Sequence, residues 1–340
     1  MWQIIDPQLP EFGVSQEMTS PDPRTTRFTG IAFGNGVFVA VGQNLGEDSF
    51  RWAASKDGAV WKGHSQKLAV GTTFTTSKVH FIDRKFVFFG EHKDDGFHVH
   101  SSADGITWKD TKLTTTGVRE IVDEFDGSDS LTVYAGNNGS MESSPDLVTW
   151  TPRTDVARGI FDFLDIAYGA GRWVATGNGG AQTWGSDDGV SWTALDDSLK
   201  SFRIEFGGGV WLATAGGGVM QSSNDGKTFS VITPTPLDRS PGWPPRFAGG
   251  RFITSTMNAT NGNIMISFSK DGAAWTDFGE FAPVEKRAGD ASVTVGMLDL
   301  AYGNCRYVFA GDLVFRPPPT PMGPNVWPHR ALIITADLSK

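Results

Sequence analysis

Short apolar runs interrupted by polar, glycine-rich turns recur along the whole chain. The clearest copy lies at residues 31–42 (IAFGNGVFVAVG), where two apolar segments flank the turn Gly34-Asn35-Gly36. Glycine accepts the positive φ that a two-residue hairpin turn requires, so this pattern predicts a strand, a tight turn and a second strand. Six further copies follow, three of them close (166–177, 204–215 and 300–311) and three weaker (80–90, 124–136 and 246–256).

A second motif follows each hairpin except the last. It first occurs at residues 55–61 (SKDGAVW) and returns as SADGITW, SPDLVTW, SDDGVSW, SNDGKTF and SKDGAAW. Its closing aromatic residue recurs at intervals of 37 to 47 residues, which is typical of propeller blades. We expect the aspartate to bond the turn backbone and the aromatic ring to pack between sheets. These structural pairs are Asp57 and Trp61, Asp104 and Trp108, Asp146 and Trp150, Asp188 and Trp192, Asp225 and Phe229, and Asp271 and Trp275.

The mismatch between seven hairpins and six aromatic-closed motifs is resolved by a closed ring. The strand-like segment 331–337 (ALIITAD) follows the seventh hairpin without a closing aromatic, and Trp2-Gln3-Ile4-Ile5 resembles the missing outer strand. We predict an all-β fold, a seven-bladed β-propeller of four-stranded antiparallel blades whose last blade is closed by the N-terminal strand. A six-bladed ring is the alternative. The single domain, 1–340, divides into a closing strand at 1–6, blades at 27–66, 79–113, 120–153, 163–196, 201–233 and 244–280, and blade 7 at 297–340 with a proline-rich insertion at 316–330.

Composition agrees with this architecture and narrows the partners. Glycine accounts for 42 of 340 residues, and strong helix formers never gather into a long amphipathic stretch, which excludes a helical bundle. The net charge of −9 disfavours nucleic acid and anionic membranes, and no apolar run is long enough to span a bilayer. Cys305 is the only cysteine, so an intramolecular disulfide is excluded. The first residues lack the features of a secretory signal, so we expect a protein made in the cytoplasm.

The two motifs together resemble those of the Asp-box β-propeller families, from about residue 27 to the end of the chain. These families include sialidases, sortilin-type receptors, photosystem assembly factors and many phage tail proteins. The usual spacing S-x-D-x-G-x-x-W differs from this chain, in which Asp57 precedes Trp61 by four positions, so the turn is one residue tighter. The resemblance implies the architecture and leaves the function open.

The resemblance also raises an enzymatic alternative, a sialidase-like hydrolase or a polysaccharide lyase. Sialidases use a tyrosine nucleophile and an arginine cluster. The four tyrosines of this chain, at positions 134, 168, 302 and 307, all occupy repeated core positions, and the arginine signature finds only the imperfect match at 202–205 (FRIE). We therefore predict no catalytic residue and no cofactor.

Two groups of residues have side chains that can bind metal ions, but neither group has the fixed spacing of a known metal-ligand motif. His98 and His100 lie on one face of a predicted strand. An acidic loop at 120–129 carries Asp123, Glu124, Asp126 and Asp129. Isolated surface histidines and a solvated turn are the favoured interpretations, so we predict no metal site.

Most of the twelve tryptophans are explained by the repeat, and four remain. Trp52 and Trp184 are on or near third strands, where packing is the simpler role. Trp243 lies in a stiff proline-rich connection, and Trp327 lies in the insertion beside His329 and Arg330. An aromatic ring held in a stiff loop suits stacking on a sugar or anchoring a protein. The candidate ligand-binding residues are Trp243, Trp327, His329, Arg330 and Trp184.

These observations favour a non-enzymatic propeller that recognises a glycan or a protein. The acidic surface and the absence of disulfides resemble virion-associated or phage tail proteins, which would make other virion proteins partners. An intracellular scaffold or assembly factor is a further alternative beside the carbohydrate-active enzyme. We expect neither nucleic acid binding nor membrane insertion.

Overall fold

The fold is taken from a computed structural model that describes residues 2–5, 26–44, 49–67, 74–76, 78–92, 96–112, 124–128, 131–136, 139–153, 162–177, 183–195, 203–215, 219–232, 245–257, 263–281, 292–316 and 329–337. These residues form seven small antiparallel sheets arranged as a ring, a seven-bladed β-propeller. Within these ranges, no helix has the length and apolar character needed to cross a membrane.

Each blade is a meander whose first strand lines the ring interior. The strands are β2 Thr26–Gly34, β3 Val37–Asn44, β4 Ser49–Ser55 and β5 Lys62–Lys67 in blade 1; β6 Phe74–Thr76, β7 His80–Ile82, β8 Lys85–His92, β9 Gly96–Ser102 and β10 Lys109–Lys112 in blade 2; β11 Glu124–Ser128, β12 Leu131–Ala135, β13 Met141–Ser144 and β14 Thr151–Pro152 in blade 3; β15 Phe163–Gly169, β16 Arg172–Gly177, β17 Trp184–Ser186 and β18 Thr193–Ala194 in blade 4; β19 Arg203–Gly207, β20 Val210–Thr214, β21 Met220–Ser223 and β22 Ser230–Val231 in blade 5; β23 Arg246–Ala248, β24 Arg251–Met257, β25 Ile264–Ser269 and β26 Trp275–Phe281 in blade 6; and β27 Ser292–Gly303, β28 Arg306–Arg316, β29 His329–Asp337 and β1 Trp2–Ile5 in blade 7.

The N-terminal strand completes the last blade, as the sequence predicts. β1 pairs antiparallel with β29, with Trp2 opposite Ala336 and Ile5 opposite Ile333. The innermost strands also meet in cyclic order, with β27 of blade 7 packed against β2 of blade 1. Blade 2 differs from the prediction in one detail, because its inner position is divided between β6 and β7, which both pair with β8.

The second strand of a blade is apolar on both faces because each sheet is packed between two neighbours. In β3, Phe38 belongs to a cluster with Val308 of blade 7, whereas the next residue, Val39, belongs to a cluster with Phe86 of blade 2. All four side chains are fully buried. Alternate side chains of a strand point to opposite faces, so a sheet covered on both sides needs a nearly continuous apolar run. Each such side chain contributes about 1.5–3 kcal/mol by its burial.

The first glycine of a hairpin allows close contact between blades. A Cβ atom added at Gly34 would lie 2.1 Å from the ring of Phe81 in blade 2, and one added at Gly207 would lie 1.8 Å from the ring of Phe247 in blade 6. The missing side chain therefore makes room for an aromatic ring of the following blade. The turn itself depends on Gly36, whose φ is +78°, a conformation that glycine adopts at little cost.

Candidate functional site

The Ser-x-Asp motif folds into the same hydrogen-bonded turn in blades 1 to 6, which we name the aspartate turn. In blade 4, Oδ1 of Asp188 accepts hydrogen bonds from the backbone N–H groups of Val190 and Ser191 and from the hydroxyl of Ser186. These bonds to the backbone of Ser191 and Val190 lower the pKa of Asp188 to about 2. The carboxylate therefore stays ionised near neutral pH and is used to hold the turn.

The aromatic residues that close the motif pack between neighbouring blades. Trp108, Trp150, Trp192 and Phe229 are buried. Trp61 and Trp275 are only partly buried, and their Nε1 atoms donate hydrogen bonds to the carbonyl oxygens of Gly58 and Gly272, respectively. These rings are fixed in place while part of their surface stays accessible.

The hairpin turns and the aspartate turns lie on one face of the ring, which we name the turn face. Nδ2 of Asn35 in the blade 1 hairpin donates to the carbonyl of Ala103 in the blade 2 aspartate turn, at 2.8 Å. Nδ2 of Asn304 in the blade 7 hairpin donates to the carbonyl of Lys56 in blade 1, also at 2.8 Å. Side-chain amides thus connect successive blades across this face.

Exposed aliphatic side chains recur on the turn face of blades 1 to 4. Their exposed fractions are 75% for Val60, 51% for Ile106, 47% for Val148 and 43% for Val190. In blades 5 and 6 the position of Ile106 is taken by Lys227 and Ala273. Val219, Val231 and Phe278 of blades 5 and 6 are also exposed but lie outside the aspartate turns. Among the described residues, an exposed large aliphatic side chain at the aspartate turn is therefore a feature of blades 1 to 4.

A cavity of about 340 Å³ opens between the aspartate turns of blades 1 and 2, and we name it the rim groove. Its lining includes Val37, Val60, Trp61 and Ile106, with Lys56, Lys62 and His64. Both lysines are exposed. The lining is firmly placed, because Trp61 is hydrogen-bonded to Gly58 and the ring of His64 stacks on Trp52 with a centroid distance of 5.2 Å.

The positions of Val37, Lys56 and Ile106 are all occupied by charged side chains at the boundary of blades 4 and 5. Arg172 takes the position of Val37, Asp187 that of Lys56 and Lys227 that of Ile106. Nη1 of Arg172 contacts Oδ1 of Asp187, and Nζ of Lys227 lies 3.8 Å from Oδ2 of the same carboxylate. Because the chain forms an ion network at one boundary and an apolar groove at another, the groove is not a necessary consequence of the repeat.

Carboxylates of the inner strands join successive blades around the ring interior. Oδ2 of Asp126 accepts a hydrogen bond from the N–H of Tyr168 at 2.7 Å, and Oδ2 of Asp165 accepts from the N–H of Ile204 at 2.9 Å. Oδ2 of Asp299 accepts from the N–H of Ile31 at 3.0 Å. Each of these acids binds the backbone of the following blade, so they have a clear structural role.

Glu205 is a fourth acid of the inner strands, and its carboxylate has a strongly raised pKa. Its side chain is 19% exposed, and loss of hydration raises its pKa to about 7, although the charge of Arg246 and the N–H of Phe247 act in the opposite direction. Nη1 of Arg246 lies 3.3 Å from Oε2 of Glu205, and Nε of Arg246 lies 3.4 Å from Oδ1 of Asp299. One guanidinium in blade 6 therefore bridges carboxylates of blades 5 and 7.

The structure describes three of the five ligand-binding residues predicted from the sequence, and ligand binding by all five stays a prediction. Trp184 is 7% exposed and belongs to a cluster with Trp173 and Met141, a position that fits packing. His329 and Arg330 begin β29, opposite the paired residues of β28. Trp243 and Trp327 lie outside the described residues, so ligand binding by these two stays a prediction.

The histidine and acidic groups differ from the expected surface positions. The prediction of exposed histidines is wrong, because His98 and His100 are buried by the packing of blade 2 against blade 1, and Nδ1 of His98 lies 2.7 Å from Oδ1 of Asp110. The expected solvated turn is partly wrong, because Asp126 belongs to β11. Among the described residues, no three His, Cys, Asp or Glu side chains form a group that could hold a metal ion.

Sequence reasoning missed both the inner acids and the rim groove. The inner strands carry a repeated apolar position, occupied by Ala32 and Ala167, at which Glu205 and Arg246 replace alanine. A charged residue at a core position was the available signal. The rim groove had a weaker signal, because it depends on the pairing of positions from two blades.

Comparison with known proteins gives the fold without a family. No family model matches the chain, and no curated protein matches it. Among solved structures, YCF48 from Cyanidioschyzon merolae is 13% identical, with 98% of each chain covered and a TM-score of 0.56. Virginiamycin B lyase from Staphylococcus aureus is 11% identical, with 99% of each chain covered and a TM-score of 0.55. Trypanosoma rangeli sialidase is 12% identical, with 93% of this chain and 55% of the sialidase chain covered and a TM-score of 0.50.

This chain shares their propeller fold. The three proteins include a sialidase and a lyase, so the likeness leaves the choice between an enzyme and a binding protein to the residues of the site.

Proposed function

We propose that the protein is a non-enzymatic β-propeller that binds another protein through its turn face. The observation that carries this proposal is the series of exposed aliphatic side chains at the aspartate turns of blades 1 to 4, namely Val60, Ile106, Val148 and Val190. Single exposed aliphatic residues are ordinary on protein surfaces. Ile106, Val148 and Val190 recur at one structural position, which Ala59, Lys227 and Ala273 occupy in blades 1, 5 and 6, and Val60 lies beside Ala59. This pattern favours a contact surface on blades 1 to 4.

The inner ring supports the non-enzymatic part of the proposal. Asp126, Asp165 and Asp299 each accept a backbone hydrogen bond from the next blade, a role that accounts for their presence. Tyr134 and Tyr307 are buried, and the hydroxyl of Tyr307 donates to the carbonyl of Ala248. A buried tyrosine with its hydroxyl engaged in this way is a poor nucleophile.

A carbohydrate-active enzyme is the second candidate, and one observation favours it. Glu205 has a pKa of about 7 and keeps part of its side chain accessible, properties that suit a general acid. Loss of turnover in Glu205→Gln, on any polysaccharide that the wild-type protein cleaves, would support this candidate over the first.

The finer expectations from the sequence are part of the proposal. The geometry of the aspartate turns supports membership of the Asp-box propellers. Glycan recognition through Trp243 and Trp327 and association with a virion stay predictions, and a glycan array tests the first of them.

The protein-binding proposal is tested by photo-crosslinking in native extract of the producing organism. A benzoyl-phenylalanine residue is placed at Val148 or Val190, and control proteins carry it at Lys227 or Ala273 on the same face. We expect the same protein to be crosslinked from the first two positions and not from the controls. The crosslinked protein, once purified, should bind the full chain directly. Equal crosslinking from all four positions, or none from Val148 and Val190, contradicts a turn-face contact on blades 1 to 4.

A further inference from the structure

We propose that the rim groove binds a protein segment in which an apolar side chain is flanked by acidic residues. The inference rests on the proposed protein-binding function and assigns a site and a partner chemistry to it. The cavity of about 340 Å³ lies at the small end of the range for ligand pockets, which suits one or two side chains.

The walls of the groove select an apolar side chain. Val37 from the blade 1 hairpin, Trp61 from the blade 1 aspartate turn and Ile106 from the blade 2 aspartate turn all line the groove. Ile106 is 51% exposed and Val60 75% exposed, so an inserted side chain would remove this apolar surface from water. The hydrogen bond from Trp61 to Gly58 already fixes the ring, which lowers the entropy cost of binding.

Charge selects the residues beside that apolar side chain. Lys56 and Lys62 belong to the lining and are exposed, and within the described part of the chain neither ammonium group has an ion-pair partner. The adjacent Asp57 is already used, because its Oδ1 accepts hydrogen bonds from Ala59, Val60 and Ser55. Although burial opposes them, these hydrogen bonds, with a smaller contribution from the charge of Arg306, lower the pKa of Asp57. Two unpaired cations on a protein of net charge −9 therefore mark a local site for acidic side chains.

The boundary of blades 4 and 5 shows what a closed version of the groove looks like. There Arg172 fills the position of Val37, and its guanidinium is held by Asp187, which also lies near Lys227. The Arg172 side chain is 7% exposed, so this larger residue is accommodated between blades 4 and 5 at the position that Val37 holds at the rim groove. This arrangement supplies a substitution set that closes the rim groove with side chains the fold already accepts.

The test is fluorescence anisotropy with short fluorescein-labelled peptides and the full chain. One peptide set has a central Leu, Phe or Trp flanked by Asp and Glu, and a matched set has Lys in place of the acids. The closed-groove variant carries Val37→Arg, Lys56→Asp and Ile106→Lys, and Ala273→Lys, at the position of Ile106 in blade 6, serves as the control on the same face. Circular dichroism melting confirms that each variant is folded, and the single variant Ile106→Lys replaces the triple variant if the latter does not fold.

We expect at least one acidic peptide to bind the wild-type chain and the Ala273→Lys control alike, and the closed-groove variant on the order of tenfold more weakly or worse. Reversal of charge by Lys56→Glu with Lys62→Glu should weaken the acidic peptide and strengthen its lysine counterpart. Equal binding to the closed variant, equal binding of the lysine peptides, or no binding of any peptide to the wild type overturns the inference. If any of these results is found but Val148 and Val190 still crosslink to the partner protein, the proposal of a turn-face contact holds and only the rim-groove inference is wrong.

Discussion

Replacing Glu205 with glutamine should change how the stability of the propeller depends on pH. Glu205 has a pKa of about 7 in the folded protein against an ordinary value of 4.5, chiefly because the ring interior removes its hydration. The folded state therefore binds this proton more tightly than the unfolded state. Its stabilising effect is fully present below pH 4.5 and is lost as the pH rises through 7.

The size of this effect follows from the difference between the two pKa values. Each pKa unit corresponds to about 1.4 kcal/mol, so a shift of about 2.5 units makes the ionised carboxylate cost about 3 kcal/mol in the folded state. Glutamine is uncharged at every pH and can still accept the hydrogen bond from the N–H of Phe247. Arg246 keeps Asp299 as its partner at 3.4 Å, so it is not left as an isolated buried charge.

The assay is urea denaturation of wild type and Glu205→Gln at pH 5, 6, 7 and 8, followed by tryptophan fluorescence and far-UV circular dichroism. Coincident transitions and equal m-values allow the free energies of unfolding to be compared. We expect the variant to gain about 3 kcal/mol relative to wild type between pH 4.5 and pH 8. The difference in unfolding free energy between variant and wild type at each pH cancels the pH dependence of the other acids. Glu280→Gln, at an exposed position in blade 6, controls for the change from glutamate to glutamine itself. A difference in unfolding free energy that is the same at pH 5 and pH 8 would refute the reasoning.

Two further predictions concern the blade contacts and the aspartate turns. Gly207→Ala should lower the free energy of unfolding by about 1–3 kcal/mol, because the new Cβ would meet the ring of Phe247 at 1.8 Å. The control in the same urea assay is Gly207→Ala in a Phe247→Ala background, and an equal loss in both backgrounds contradicts the packing argument. Asp188→Ala should lower the free energy of unfolding by about 1 kcal/mol at pH 7, since the backbone N–H groups of Val190 and Ser191 lose their acceptor. The pKa of Asp188 is lowered from 3.8 to about 2 in the folded protein, so the stabilising effect of its carboxylate is lost as the pH falls through 2. If Asp188→Ala lowers the free energy of unfolding by the same amount at pH 2 as at pH 7, the hydrogen bonds to the carboxylate are not the cause of the loss.

The architecture could be predicted from the sequence because each blade repeats the same local requirements. Glycines at the hairpins, the Ser-x-Asp turn and the closing aromatic residue act over a few positions, so their spacing alone indicates the number of blades. The pairing of β1 with β29 followed from counting, since one outer strand was missing at one end of the chain and present at the other. In a closed ring of four-stranded blades, the outer strand missing from blade 7 can only be supplied by the N-terminal segment.

The candidate site could not be predicted in the same way, because it depends on residues from neighbouring blades. The rim groove requires Val37 of blade 1 and Ile106 of blade 2 to line the same cavity, and only the placement of blade 2 against blade 1 decides this. The bridge from Glu205 through Arg246 to Asp299 joins three blades, and no spacing in the sequence indicates it. His98 and His100 likewise became buried because aromatic side chains of blade 1, such as Phe50, cover them, which a single strand pattern does not reveal.

The closure of the ring by β1 has a consequence for the growing polypeptide. Trp2 pairs with Ala336, so β1 has no partner strand until more than three hundred further residues have been synthesised. At 5–20 residues per second this delay lasts roughly 20 to 70 s. During that time the backbone donors and acceptors of Trp2–Ile5 form an open strand edge of the kind that promotes aggregation. The yield of the protein should therefore depend on temperature and on chaperones during synthesis more than its finished, edge-protected ring would suggest.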